Sequence, residues 1–181
     1  MKYRTIVADP PWEYPEGFST QSRSPGKWKG PVRHNCLPYP ALSLVAIRSL
    51  PISDLAQKDA RLFLWTTNRY LPEAFGVVDA WKFAYRQTLT WKKLDALGGS
   101  VAPNSEFLIV GARGSPGLLS RLPNAVIEHS QTKEHSRKPD LFLDLVEQVS
   151  PGPYLELFAR RNRLGWDTYG NEALNHIELS S

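Results

Sequence analysis

Asp9 is followed by Pro10, Pro11 and Trp12, directly after an apolar, β-branched run from Tyr3 to Ala8. A run of this kind that meets a carboxylate and two prolines reads as a buried strand that stops abruptly, with the acid at its C-terminal edge. Each proline lacks a backbone N–H and holds the preceding residue extended, so Asp9, Pro10 and Pro11 present rigid acceptors and almost no donor. A ligand that brings two N–H bonds, such as the exocyclic amino group of a nucleobase, matches that surface. Trp12 offers an aromatic face on which the base could stack. The same four residues also read as a stiff turn with an aromatic in the core, and the rest of the chain has to decide between the two.

Two basic stretches favour the chemical reading. From Pro10 to Pro38 no helical or strand period is sustained, as in a lid or binding loop. The segment carries Arg23, Lys27, Trp28, Lys29, Arg33 and His34, with Tyr14 and Phe18 as further rings. Cations interleaved with aromatics suit a phosphate backbone and an unstacked base, although the pattern also fits a solvated surface loop. Residues 129–139 are polar and basic, with Lys133, Arg137 and Lys138, before Pro139 at a first helical position and Asp140. Lys138 is thereby expected at a helix N-terminus, where the dipole and free amides favour a phosphate or carboxylate. His34 and Cys36 have no second pair at ligand spacing, so no zinc site is expected.

These residues need a scaffold, and the remaining pattern supplies an α/β one. Helical spacing covers Tyr39 to Leu50, ended by Pro51, with Ser53 or Asp54 able to cap a short following turn. Arg61 to Thr67 is an apolar run of strand length, Leu71 to Lys82 returns to helical spacing, and Phe83 to Lys92 reads as a strand. Gly98, Gly99 and Pro103 mark a connection before a strand at Phe107 to Val110. Glu106 at its start is either a rim carboxylate or a site residue. Ala125 to Ile127 is a short strand, and Leu141, Phe142, Leu145, Val146 and Val149 line a core-facing helical stripe that Ser150-Pro151-Gly152 ends. Tyr154 to Ala159 is a buried strand followed by Arg160, Arg161 and Arg163, Trp166 to Tyr169 a last strand, and Gly170-Asn171-Glu172 a polar turn. Alternating strands and helices argue a parallel sheet, which binds ligands outside the carboxyl ends of its strands, so Asp9 and Arg160 should face one crevice.

The whole chain bounds the function classes. Its 181 residues are enough for one domain, residues 1–181, with a core that buries about 70% of the unfolded surface. Net charge of +4 and a pI of 9.2 are compatible with a polyanionic partner without demanding one. Cys36 is the single cysteine, which excludes an internal disulfide and fits a reducing compartment. With no apolar signal run and no stretch near the roughly 18 apolar residues of a membrane span, the expected location is a cytoplasm.

Taken together, Asp9-Pro10-Pro11-Trp12, Leu62-Phe63-Leu64-Trp65, residues 135–140 (His-Ser-Arg-Lys-Pro-Asp), Glu156-Leu157-Phe158-Ala159-Arg160 and Gly170-Asn171-Glu172 resemble the MT-A-type adenine-N6 methyltransferases. The likeness covers essentially the whole chain and rests on the order and spacing of all five stretches. It implies a Rossmann-like α/β fold, a mostly parallel sheet with helices on both faces, and S-adenosylmethionine as cofactor. It also implies methyl transfer to the N6 amine of adenine in nucleic acid, DNA favoured over RNA. By the same match Asp9, Pro10, Pro11 and Trp12 form the catalytic motif, with Asp9 also near the methionine moiety. Lys138 falls near the cofactor carboxylate, and Tyr154 to Arg160 becomes the cofactor-side strand, bringing in Glu156 and Phe158. Arg160, Asn171 and Glu172 surround ribose and adenine. Two departures stand out: Phe158-Ala159-Arg160 lacks the usual glycine, and Arg161-Asn162-Arg163 replaces the family's Pro-His-Asn, so ribose contacts are not carried over to Asn162 or Arg163. Tyr14, Arg23, Lys27, Trp28, Lys29, Arg33, Lys133 and Arg137 are then the nucleic-acid-binding candidates. A homodimer or partner subunit is compatible with this, as is a catalytically inactive, nucleic-acid-binding relative. Acceptors such as cytosine N4 are disfavoured, because enzymes for them usually carry Ser or Asn where Asp9 stands.

Overall fold

Two strands set the frame. In β1 (Tyr3–Ala8), Ile6 and Ala8 face one side of the sheet and Val7 the other, all buried. In β2 (Ala56–Thr67), Leu62 and Leu64 face the first side and Phe63 and Trp65 the second. Both strands therefore need cover on two faces, as the apolar runs Ile6 to Ala8 and Leu62 to Trp65 require. The computed structural model describes residues 2–14, 41–95, 104–131 and 137–170.

On the first face lie α1 (Leu44–Ser49), α2 (Ile52–Leu55) and α3 (Leu71–Ala80), which bring Ile47, Ile52, Ala74, Val77 and Val78 onto Ile6, Leu62 and Leu64. On the second lies α4 (Leu141–Val149), whose Phe142, Leu143, Val146 and Val149 pack on Val7, Phe63 and Trp65. Each such side chain, fully buried, contributes about 1.5–3 kcal/mol. Ser43 caps α1 through its hydroxyl, which accepts from Ala46 N–H at 3.2 Å. The cap position of α2 is Pro51, with no side-chain bond, so neither Ser53 nor Asp54 has the expected capping role. Asp140 is the cap residue of α4, which leaves Pro139 one position outside the helix rather than at its first turn.

The other strands are β3 (Ala84–Lys93), β4 (Ser105–Arg113), β5 (Val126–His129), β6 (Tyr154–Leu157) and β7 (Trp166–Tyr169). Among the described residues they form one seven-stranded sheet in the order β5-β3-β4-β2-β1-β6-β7. The α/β architecture and the mostly parallel sheet are as expected from the pattern. Only β4 is reversed, antiparallel to both β2 and β3. β2 begins at Ala56, five residues before the apolar run, because Ala56 still pairs with Tyr3 of β1 and Ala60 with Arg113 of β4. β6 is shorter than expected: Phe158 takes a positive φ of 62° and turns the chain out of the strand. Among the described residues no helix is long and apolar enough to cross a membrane.

Candidate active site

The parallel strands bring their carboxyl ends to one edge of the sheet, and the reversal of β4 brings its beginning there too. Thr67 at the end of β2 pairs with Glu106, and Trp91 near the end of β3 pairs with the same residue from the other side. Asp9, one residue past β1, is thus joined at this edge by Glu106 and by Lys93, the last residue of β3. Lys138 reaches in from the segment before α4. Its ammonium donates to Asp9 Oδ2 at 2.8 Å and stands 3.2 Å from Glu106 Oε2, while Lys93 donates to Glu106 Oε1 at 2.5 Å. Four charges of alternating sign form one continuous chain.

Its electrostatics follow from burial and pairing together. Burial alone pushes a carboxyl up, but the Lys138 and Lys93 charges outweigh it at Glu106 and hold that group below the usual carboxylate range. Burial pulls the Lys138 ammonium down, yet Asp9 and Glu106 more than reverse this and move it upward. At Asp9 burial raises the carboxyl, and Lys138 recovers only part of the shift. The Lys138 ammonium also sits 5.3 Å from the Trp65 ring centre, a cation over an aromatic face.

Asp9 and Lys138 open onto a crevice between the sheet edge and the start of α4. Trp65, Leu108 and Phe142 give it an apolar floor; Glu156, Phe158, Arg160 and Arg137 line it as well. Glu156 brings a buried Oε2 with no hydrogen-bond partner. Burial lifts its carboxyl to about 7, against a smaller opposing pull from Arg161. A buried acceptor left unsatisfied is costly, so a hydroxyl-bearing ligand suits this position. The left-handed Phe158 lies at the same place, where backbone strain of order 1–3 kcal/mol is typical of ligand-binding turns. Gly170 lets the chain after β7 close on that turn. A Cβ there would come within 2.2 Å of the Ala159 carbonyl oxygen and 2.6 Å of its nitrogen.

The Asp-Pro-Pro acceptors are fewer than the sequence suggests. The Pro10 carbonyl accepts Trp12 N–H at 2.9 Å and the Pro11 carbonyl accepts Leu42 N–H at 2.9 Å. Besides the Asp9 Oδ2 contact with Lys138, the rest of the Asp9 carboxylate and one lone pair of each proline carbonyl remain for a ligand. Trp12 needs a correction. It is 5% exposed, its ring lies stacked 5.2 Å from Tyr70, and its Nε1–H donates to the Trp65 carbonyl at 3.3 Å. A ring spent on these contacts fixes the turn after Asp9 rather than offering a base an open face. Tyr14 shares a hydrogen bond of 3.0 Å with Thr67 and stands edge-on to Tyr70, half-buried beside the charged chain. Arg137 lines the crevice and donates to Asp140 at 3.3 Å. Arg161 pairs with Asp140 as well, and Arg163 with Asp144 and Glu147, which ties the chain after β6 to α4. Lys93 is absent from the candidates that sequence reasoning picks out, and Glu106 is left open there. Arg23, Lys27, Trp28, Lys29, Arg33, Lys133, Asn171 and Glu172 lie outside the described residues.

The chain is 29% identical to the Type II methyltransferase M.MunI of Mycoplasma sp., over 98% of this chain and 81% of that protein. It is 27% identical to the human N(6)-adenosine-methyltransferase catalytic subunit METTL3 and 29% to the human N(6)-adenine-specific methyltransferase METTL4. Those two matches cover 98% and 97% of this chain but only 29% and 39% of the relatives' lengths. The MT-A70 family model matches residues 3–172, and the chain belongs to the MT-A70 family, whose methyltransferases use S-adenosylmethionine as methyl donor.

Proposed function

We propose that this protein methylates the N6 amine of adenine in nucleic acid, with DNA favoured over RNA. The observation that carries the reading is the position of Asp9: a carboxylate at the carboxyl edge of β1, followed by a proline carbonyl, on a crevice that also holds the Lys138 cation and the unsatisfied Glu156 acceptor. The preference for DNA rests on the likeness to the type II methyltransferase M.MunI, at 29% identity over 98% of this chain.

The residues present fit the cofactor. Glu156 would accept its hydroxyls, Lys138 and Arg160 would face its carboxylate and ribose ends, and Phe158 would give an apolar surface. When bound, S-adenosylmethionine supplies a methyl group on a positively charged sulfur. The chain's own work concerns the amine. Adenine's exocyclic nitrogen is a poor nucleophile because its lone pair is conjugated into the ring. Asp9 accepts one N–H and the remaining lone pair of the Pro10 carbonyl accepts the other, drawing the nitrogen toward a tetrahedral shape with its lone pair aimed at the methyl group. As positive charge develops on that nitrogen, the Asp9 carboxylate stabilises it, a preorganised electrostatic effect of about 3–4 kcal/mol, and the methylated nitrogen then gives up one proton to solvent to leave the neutral product. The stacked Trp12–Tyr70 pair holds the turn so that both acceptors stay in place. The base must leave its stack to arrive here, at a few kcal/mol when paired and less when single-stranded.

The test is methyl transfer from labelled S-adenosylmethionine to matched DNA and RNA oligonucleotides, single- and double-stranded, followed by nucleoside analysis. N6-methyladenine is the expected product, formed faster on DNA. Faster formation on RNA would reverse the substrate preference, and a product other than N6-methyladenine would refute the reading.

A further inference from the structure

The chain Lys93–Glu106–Lys138–Asp9 is drawn from four separate stretches: the end of β3, the start of β4, the approach to α4 and the residue after β1. Its side chains become more enclosed going inward. Asp9 is 30% exposed, Lys138 17%, Glu106 15% and Lys93 14%. Glu106 gives one oxygen to each lysine, Oε1 to Lys93 and Oε2 to Lys138. Lys138 in turn lies within reach of both carboxylates at once, 2.8 Å from Asp9 and 3.2 Å from Glu106.

This geometry presents the reaction with a difficulty and its solution. An ammonium held on Asp9 Oδ2 takes one of the carboxylate's two oxygens, weakens the other as an acceptor for the amine, and opposes by its charge the positive charge that develops on the nitrogen during transfer. We propose that Glu106, braced by Lys93, is a positioning residue for the acceptor amine: it offers the Lys138 ammonium a second seat, so that the Asp9 carboxylate is released to the amine. Only a small movement of Nζ is needed, because both contacts already exist. Lys138 keeps a full counter-charge after the move. Lys93 keeps the enclosed Glu106 ionised and pins its other oxygen, so the second seat does not drift. The inference rests on the methyl-transfer reading above and adds to it two residues, Glu106 and Lys93, that touch neither the amine nor the donor.

The experiment compares wild type, Glu106→Gln and Lys93→Met by steady-state transfer to an adenine-containing oligonucleotide, with S-adenosylmethionine affinity measured by calorimetry. The cofactor-free proteins are also followed by NMR of the Lys138 ammonium against pH. Asp9, Glu106 and Tyr14 face that ammonium, with Arg160 facing Asp9 and Lys93 facing Glu106. In Glu106→Gln, kcat should fall about tenfold or more while KM for the oligonucleotide and cofactor affinity stay within about threefold. The Lys138 ammonium should titrate at lower pH than in wild type. Lys93→Met should move kcat in the same direction by less, and it carries the test if Glu106→Gln does not fold. Wild-type kcat in both variants, a loss confined to KM, or an unmoved Lys138 titration would overturn the inference. A wild type that methylates no nucleic acid overturns the parent reading and this one with it, whereas an active wild type with unaffected variants overturns this one alone.

Discussion

Lys138 Nζ lies 2.8 Å from Asp9 Oδ2 and 3.2 Å from Glu106 Oε2, so one cation joins a carboxylate that follows β1 to another that opens β4. Sheet strands far apart in sequence are held together at the edge where the crevice forms.

Loss of that cation should be felt in stability as well as in catalysis. Lys138→Met leaves two carboxylates facing each other in a partly enclosed site, and removing one partner from a buried ionic cluster typically costs about 3–5 kcal/mol. Glu106 is held below its unfolded value, so its contribution is present above the usual carboxylate range and lost as pH falls through its lower folded value. Lys138 is raised, so its contribution is complete below the ordinary lysine range and lost as pH rises beyond it. The deficit of Lys138→Met should therefore be present at neutral pH, where Glu106 is ionised and Lys138 charged, and shrink in acid, first as the raised Asp9 carboxyl and then as Glu106 takes up its proton. Thermal melts of wild type and variant at pH 4 and pH 7.5 check this; equal melting temperatures at pH 7.5 would contradict it.

Glu156 gives the opposite sign. Its folded carboxyl titrates near 7, so the folded state holds a proton that the unfolded chain has lost, and stability declines as pH rises from the ordinary glutamate value to about 7. Glu156→Gln, neutral at all pH, should lack that decline and exceed wild-type stability at pH 8 by up to about 3 kcal/mol. Urea midpoints at pH 5 and pH 8 measure it. A wild type with no such slope would mean that Glu156 is solvated.

Gly170 tests the turn that flanks the crevice. The added Cβ of Gly170→Ala meets backbone atoms of Ala159, which cannot move aside as a side-chain tip would. Overpacking of this kind costs about 1–3 kcal/mol, and the displaced Phe158 turn should weaken S-adenosylmethionine binding measurably by calorimetry. Unchanged melting temperature and affinity would show that the loop has slack.

Much of this arrangement was legible in the chain itself. β1 and the acid that ends it follow from an apolar run broken by two prolines, and α4 from the spacing of Phe142, Val146 and Val149. The direction of β4 was not legible, because apolar alternation does not encode strand polarity. A parallel β4 would have put Glu106 at the far edge of the sheet. One signal was available: Lys92-Lys93 closes one strand and Ser105-Glu106 opens the next across a glycine-rich connection, and a hairpin sets such ends opposite each other. The burial of Trp12 was hidden for a different reason. Its partners, Tyr70 and the Trp65 carbonyl, are more than fifty residues away and meet it only once the sheet has formed.

The most direct test of Asp9 as the acceptor of the amine is the amount of N6-methyladenine formed by wild type and by Asp9→Ala on one DNA oligonucleotide, with both proteins matched for folding by circular dichroism. Wild type should form the product, and the variant, lacking about 3–4 kcal/mol of transition-state stabilisation, should turn over at least several hundredfold more slowly. Turnover by a folded Asp9→Ala within a few-fold of wild type would contradict the account.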